Sequence, residues 1–209
     1  FWRTDGTEEG TYIIQDVEPS PGEMGTAKNC VFLRASDQTH GGELWMYLLN
    51  GNCVDALQVT PGNLYSHTNY GATGNLVSNC AYNDYSDVWY SFKPTTPGQY
   101  TINVISDDFD TTLAVYNACG GNIIDCNDDF NGYSDSLITL DAVKGKTYYI
   151  RVAGYNGGMG LFDFWIDAGS CTEYISSDLN MDCAVNMEDF VIMASEWLSC
   201  RKAPSNLCN

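Results

Sequence analysis

The sequence is poor in positive charge and in histidine. Nine Lys and Arg stand against 27 Asp and Glu, a net charge of -18, and His40 and His67 are the two histidines. A chain this acidic repels phosphate backbones, which argues against nucleic acid as a partner. There is no CxxC pair, and two imidazoles with no paired thiols make a zinc site a poor fit. No apolar run approaches the roughly 20 residues of a membrane span. Neither histidine lies near a nucleophile motif such as GxSxG, and no GxxxxGK phosphate cradle occurs. No carboxylate pair is marked as buried and proton-bearing, as glycosidase chemistry needs. The chain reads as non-catalytic, with any catalytic domain upstream. Glu is missing altogether from residues 51–169, which hold thirteen Asp. Asp favours turns and caps and can ligate hard cations, whereas Glu favours helices. Phe1 is not a start residue, so the expectation is the C-terminal piece of a longer, secreted protein.

What is present is alternation. In Ser86–Pro94, Val88, Tyr90 and Phe92 alternate with more polar neighbours, the period of a strand with one buried face. Gln99–Ile105 repeats this with Tyr100, Ile102 and Val104, and Thr112–Tyr116 with Leu113 and Val115. Thr147–Val152 and Leu161–Ile166 follow, with Tyr148, Ile150, Val152 and then Phe162, Phe164, Ile166. Short alternating strands between turn signals predict a mainly β fold, an antiparallel β-sandwich of jelly-roll-like kind.

Nine cysteines in an acidic, loop-rich chain point to an oxidising compartment. Cys53 is expected to pair with Cys80, and Cys119 with Cys126 around a small hairpin-like loop. The loop-entropy model gives roughly 3.6 and 2.5 kcal/mol for these closures. Cys171, Cys183, Cys200 and Cys208 allow three pairings, of which Cys183–Cys200 with Cys171–Cys208 is favoured. Cys30 stands apart and is taken as the odd thiol.

Residues 1–50 open with Trp2, Thr4-Asp5-Gly6-Thr7 and Gly10-Thr11, and Glu43-Leu44-Trp45 returns 43 residues after Trp2, a propeller-blade spacing. This segment resembles the end of bacterial extracellular repeats with an ELW…DGT…GT pattern. The other reading is an irregular β-extension packed on the next domain.

Residues 51–169 carry Asn52-Cys53, Asp87-Val88-Trp89-Tyr90-Ser91-Phe92, Gly98-Gln99-Tyr100-Thr101, Phe109-Asp110-Thr111-Thr112-Leu113-Ala114-Val115-Tyr116, Cys126-Asn127-Asp128-Asp129 and Tyr148–Gly154. With these residues the segment resembles the bacterial pre-peptidase C-terminal domain. The resemblance implies a sandwich at the tail of secreted proteins, with roles in secretion, attachment or substrate binding, and calcium in some members. Two acidic clusters are candidate calcium cages: Asp107-Asp108-Asp110, and Asp125 with Asp128-Asp129 and Asp135. The alternative is that these Asp cap turns. Tyr82, Tyr85, Tyr133 and Tyr155 beside amides could form a platform for polysaccharide or peptide, or pack over the rim.

In residues 170–209, oxygen side chains fall at Asp178, Asn180, Asp182, Asn186 and Asp189. These are the first, third, fifth, ninth and twelfth positions of a calcium loop, with the Ala184 carbonyl at the seventh. Phe190, Met193, Ala194, Trp197 and Leu198 then form the stripe of an amphipathic helix. The segment resembles one dockerin type I repeat, which implies calcium as cofactor, half of an EF-hand, and a cohesin-like or other extracellular partner. It departs in having one repeat and in placing Cys183 where the loop normally has Gly.

The expectation is a secreted, non-catalytic binding or attachment module in three parts, 1–50, 51–169 and 170–209. The alternative is a carbohydrate- or protein-binding accessory region of a larger extracellular peptidase or glycoside hydrolase.

Overall fold

The computed structural model describes residues 2–3, 12–13, 18–36, 42–74, 76–130, 132–168, 177, 179, 185 and 187–200. β1 (Trp2–Arg3) pairs with β2 (Tyr12–Ile13). A three-stranded antiparallel sheet follows, of β3 (Glu18–Ala27), β4 (Cys30–Ser36) and β5 (Glu43–Leu48). Then come β6 (Leu57–Val59), β7 (Leu64–Thr68), β8 (Val88–Phe92), β9 (Gly98–Ile105) and β10 (Thr111–Tyr116). β11 (Ile123–Asn127), β12 (Ser136–Ala142), β13 (Tyr148–Gly154) and β14 (Leu161–Ala168) complete the strands, and α1 (Met187–Cys200) follows them.

Two sheets make the sandwich. One has five strands in the order β11-β10-β13-β8-β6, the other four in the order β12-β9-β14-β7. All pairings are antiparallel except β6 on β8, which is parallel. The alternating apolar residues face one another between the sheets. Val88, Tyr90, Phe92, Ile102, Val104, Val115, Ile150, Val152, Phe164 and Ile166 are all fully buried there. Tyr90 stacks on Phe164 across the gap with ring centroids 4.4 Å apart. Each such side chain contributes about 1.5–3 kcal/mol through burial.

The five-stranded sheet is covered on its second face too. Trp89, read as a polar-side neighbour in the sequence, is buried there with Ala114 and Tyr116. Its ring lies 5.1 Å from that of Tyr116. The expected cysteine pairs are replaced by Cys53–Cys119 and Cys80–Cys126, with Cα–Cα distances of 5.6 and 6.0 Å. The reason is the fold. β10 and β11 form a hairpin that sets Cys119, in its turn, within reach of Cys53, and Cys126, on β11, within reach of Cys80. Cys30 is unpaired and buried.

The β3–β5 sheet packs on the sandwich through two amides. Asn29 donates to Asn50 Oδ1 (2.9 Å) and to the Thr68 carbonyl (2.8 Å), and accepts from the Thr68 amide (3.0 Å). Asn50 donates to the Trp89 carbonyl at 3.0 Å and its own carbonyl accepts Trp89 N at 2.8 Å. Cys30 and Leu48 from this sheet join the sandwich core. Lys28, with φ 57°, turns the chain from β3 into β4.

Candidate functional site

The outer face of the four-stranded sheet is open. Its floor follows from the strands' alternation. In β14, Phe162, Phe164 and Ile166 point into the core, so Leu161, Asp163, Trp165 and Asp167 point out. Register places Trp165 between Leu64 on β7 and Asn103 on β9, and Asp163 between Ser66 and Ile105. A cleft of about 490 Å³ lies over Ser66, Ile105, Leu161 and Asp163. A second of about 350 Å³ continues over Asn63, Leu64, Trp165 and Asp167, sharing Ile105 and Asp163 with the first.

The polar groups of this face are already oriented. Ser66 Oγ donates to Asp163 Oδ1 at 2.5 Å, and Trp165 Nε1 donates to Asp167 Oδ2 at 2.8 Å. Asn103 Nδ2 reaches the same oxygen at 3.4 Å. Ile105, Leu64 and Leu161 are exposed beside them. An indole flanked by carboxylates and an amide on a shallow apolar floor can stack on one face of a sugar ring and hydrogen-bond its hydroxyls.

The rim collects residues singled out in the sequence. Asp107 and Asp108 line the larger cleft with Asp135, Tyr133 and Lys28. Asp108 Oδ2 accepts the Leu161 amide at 2.8 Å, and Asp135 Oδ1 accepts the Ser106 amide at 3.3 Å, so both cap turns. Tyr133, 72% exposed, stands at this rim. The other expected platform residues gather elsewhere: Tyr82 and Tyr155 have ring centroids 6.4 Å apart. Beside them, Gly157 (φ +74°) approaches Tyr85 so closely that a Cβ there would meet its ring at 2.8 Å.

The acidic clusters are divided differently from their order in the sequence. Asp110, just before β10, lies near Asp128 and Asp129. Burial raises the Asp128 carboxyl to about 6, reinforced by Asp110, Asp129 and Asp84, and burial with Asp129 raises that of Asp110. Among the described residues no three His, Cys, Asp or Glu side chains converge as a metal-holding group.

His67 is a structural residue. Its Nδ1 shares a 2.8 Å hydrogen bond with the Tyr90 hydroxyl, and the two rings stack. Burial, with Lys28 second, lowers its pKa to about 4. His40 lies outside the described residues, as do Asp178, Asn180, Asp182, Ala184 and Asn186 of the expected calcium loop and Cys171, Cys183 and Cys208. Cys200 ends α1. Asp189 is described: it is 2% exposed, and its Oδ1 accepts the Leu179 amide at 2.7 Å. On α1, Phe190 and Met193 of the expected inward stripe are exposed.

Trp165, Asp163, Asp167 and Asn103 were not singled out in the sequence. The signal was there: the strand read from Phe162, Phe164 and Ile166 has a second face, and that face carries a Trp between two Asp.

Residues 49–166 match a family described as galactose binding domain-like, of the T9SS-associated group. The match leaves residues 1–48 and 167–209 outside it. Among solved structures, the pre-peptidase C-terminal domain of a collagenase from Bacillus anthracis is similar at 16% identity and a TM-score of 0.39. That similarity covers 54% of this chain and 94% of the other. No curated protein matches the chain.

Proposed function

The chain belongs to the galactose binding domain-like family, and we propose that it is a secreted, non-catalytic module that binds carbohydrate on the outer face of its four-stranded sheet. The observation that carries this is Trp165, set in the cleft floor with Asp163, Asp167 and Asn103 around it. Two disulfides fit an oxidising, extracellular setting. The ligand class is a neutral or basic glycan: the rim carboxylates Asp107, Asp108, Asp135 and Asp163 would repel an acidic one. The test is retention of the chain and of Trp165→Ala on insoluble polysaccharides, with indole fluorescence followed during titration by soluble oligosaccharides. Loss of retention with an unchanged fold supports the reading. Equal retention of the two proteins, or none by either, rejects it.

The finer reading of the C-terminus is a calcium-ordered loop. Asp178, Asn180, Asp182, Ala184, Asn186 and Asp189 would supply the oxygens, and the ion would order the segment before α1. Asp189 supports it, because its buried carboxylate returns from the twelfth loop position to the amide of the second. The exposed Phe190, Val191 and Met193 on α1 offer an apolar surface to a cohesin-like or other extracellular protein. Calorimetric titration with calcium tests the loop: the Asp178→Ala/Asp182→Ala variant should bind one ion fewer than the parent.

A further inference from the structure

Four buried side-chain oxygens lack a hydrogen-bond partner among the described residues: Asp87 Oδ1, Asp110 Oδ1, Thr112 Oγ1 and Asp128 Oδ1. The register gathers them on one patch, the covered outer face of the five-stranded sheet. Leu113 faces the core, so Thr112 faces out with Ala114. Leu113 pairs with Asn127, which sets Thr112 opposite Asp128. On its other side Thr112 pairs with Ala153. Val152 pairs with Val88, so Ala153 stands level with Asp87. Asp110 lies two residues before Thr112 on the same face. At the centre of the row Ala153 is fully buried and offers only a methyl group.

Carboxylate oxygens only accept, and an orphaned buried acceptor is costly. Something must donate to these or balance their charge. Arg151 is the nearby base, but its guanidinium is already committed. Nε donates to Asp87 at 2.6 Å and Nη1 to Asp84 at 2.8 Å. Nη2 donates to the Leu76 carbonyl at 2.6 Å and also to the Asp84 carbonyl. The guanidinium is therefore spent on Asp84, Asp87 and the Leu76 carbonyl, while Asp110 and Asp128 face like charge from each other's neighbourhood, Asp129 included. The raised carboxyls of Asp110 and Asp128 have the same origin: burial and like charge with no local compensation.

We infer that this patch is a divalent-cation site in which Asp110, Thr112 and Asp128 give oxygens to a calcium-sized ion. The donors are hard oxygens without nitrogen or sulfur, which suits calcium rather than zinc. Thr112 separates the site from a chance meeting of surface acids. It is 2% exposed, it stands opposite Asp128 in the register, and its hydroxyl has no hydrogen-bond partner among the described residues. Two carboxylates and a hydroxyl leave the rest of a six- to eight-oxygen shell to carbonyls and water.

The test uses the full chain carrying Asp178→Ala/Asp182→Ala, which silences the C-terminal loop. It is titrated with calcium chloride near neutral pH and melted in calcium and in EDTA. The expected result is one saturable site of submillimolar affinity and a higher melting temperature in calcium. Adding Asp110→Asn/Asp128→Asn should abolish both effects, while the melting temperature in EDTA stays level or rises because like charges have been removed. Thr112→Val should weaken binding about tenfold, the loss of one good oxygen contact. Absence of calcium heat and of a melting shift at millimolar calcium overturns the inference, and places a proton on the Asp110–Asp128 pair instead. Binding unchanged by the double asparagine variant overturns it as well. Should that variant not fold, Thr112→Val decides, since an unchanged affinity rejects the site.

Discussion

The two outer faces of the sandwich are built from strands of similar alternation and come to opposite ends. On the five-stranded side the outer residues are Trp89, Ala114, Tyr116 and Arg151, buried beneath a layer that two disulfides fasten down. On the four-stranded side they are Leu64, Asn103, Ile105, Asp163 and Trp165, open to solvent above a pair of joined clefts. One face uses its polar groups to hold a cover, the other presents them. The comparison teaches that a sheet's second face is not a polar default. Its chemistry shows which side is structural and which is free to bind.

The contrast can be broken most forcefully at Arg151. It is 1% exposed, and burial alone would lower its pKa, but the Asp87 and Asp84 carboxylates more than offset that and raise it. Arg151→Met would leave both carboxylates buried without their base. The expected loss is about 3–5 kcal/mol in urea unfolding, the usual result of removing one partner of a buried pair. A loss below about 1 kcal/mol would mean that water reaches the ion pair and that the face is not sealed.

Next in size is the covalent fastening. The loops closed by Cys53–Cys119 and Cys80–Cys126 span 66 and 46 residues. The loop-entropy model gives roughly 4 kcal/mol for each, with measured disulfides scattering over about 2–5. Cys80→Ser/Cys126→Ser should lower the melting temperature and expose Trp89 to fluorescence quenchers while leaving Trp165 as it was. A melting curve unchanged from the parent would show that packing alone retains the cover.

Little of this division was legible beforehand. The five strands read from alternation were found close to their expected bounds because one face of each carries a regular apolar period. β12 was missed although Ile138, Leu140 and Ala142 alternate with Leu137, Thr139 and Asp141. Its apolar outer Leu137 and the preceding run of Asn, Asp and Gly blur the period. β6 and β7 are short and half polar, and their place is set by pairing with β8 and β14 rather than by their own residues. The cysteine pairing was out of reach because chain proximity favours the nearest partner, while the β10–β11 hairpin brings distant ones together. Asp110 and Asp128 met for the same reason: neighbours across strands are invisible until register is known.

A smaller effect comes from the boundary between core and open face. His67 has its pKa lowered to about 4 by burial and by Lys28. The folded state therefore holds the imidazole neutral where the unfolded chain, near 6.5, begins to protonate. The stability this residue contributes is complete above about pH 6.5 and is lost as pH falls toward 4. The expected cost at pH 4 is on the order of 2 kcal/mol after allowing for partial exposure. A His67→Gln variant should show a flatter melting profile between those values. Parallel profiles for variant and parent would assign the acid sensitivity to the carboxylates.

The smallest effect on the fold should come from the open face itself. Trp165 is half-buried, with its indole on the open face, and Trp165→Ala is expected to change stability by no more than about 1 kcal/mol, well below the cost of truncating a core aromatic, while removing glycan retention. A large loss of stability would show that Trp165 is a packing residue and would dissolve the contrast between the two faces.

The interleaved bridges also set how the protein carries load. If the chain is pulled from points before Cys53 and after Cys126, tension crosses at once from Cys53 to Cys119 and leaves through the seven-residue segment to Cys126. The stretch from Cys53 to Cys119, a separation of 66 residues, is spared the force. At about 3.3–3.6 Å per residue this withholds roughly 220–240 Å of extension. The cover and most of the five-stranded sheet then lie in a mechanical shunt, so an oxidised module tethering something to a surface under shear would stay short where a reduced one would pay out like rope.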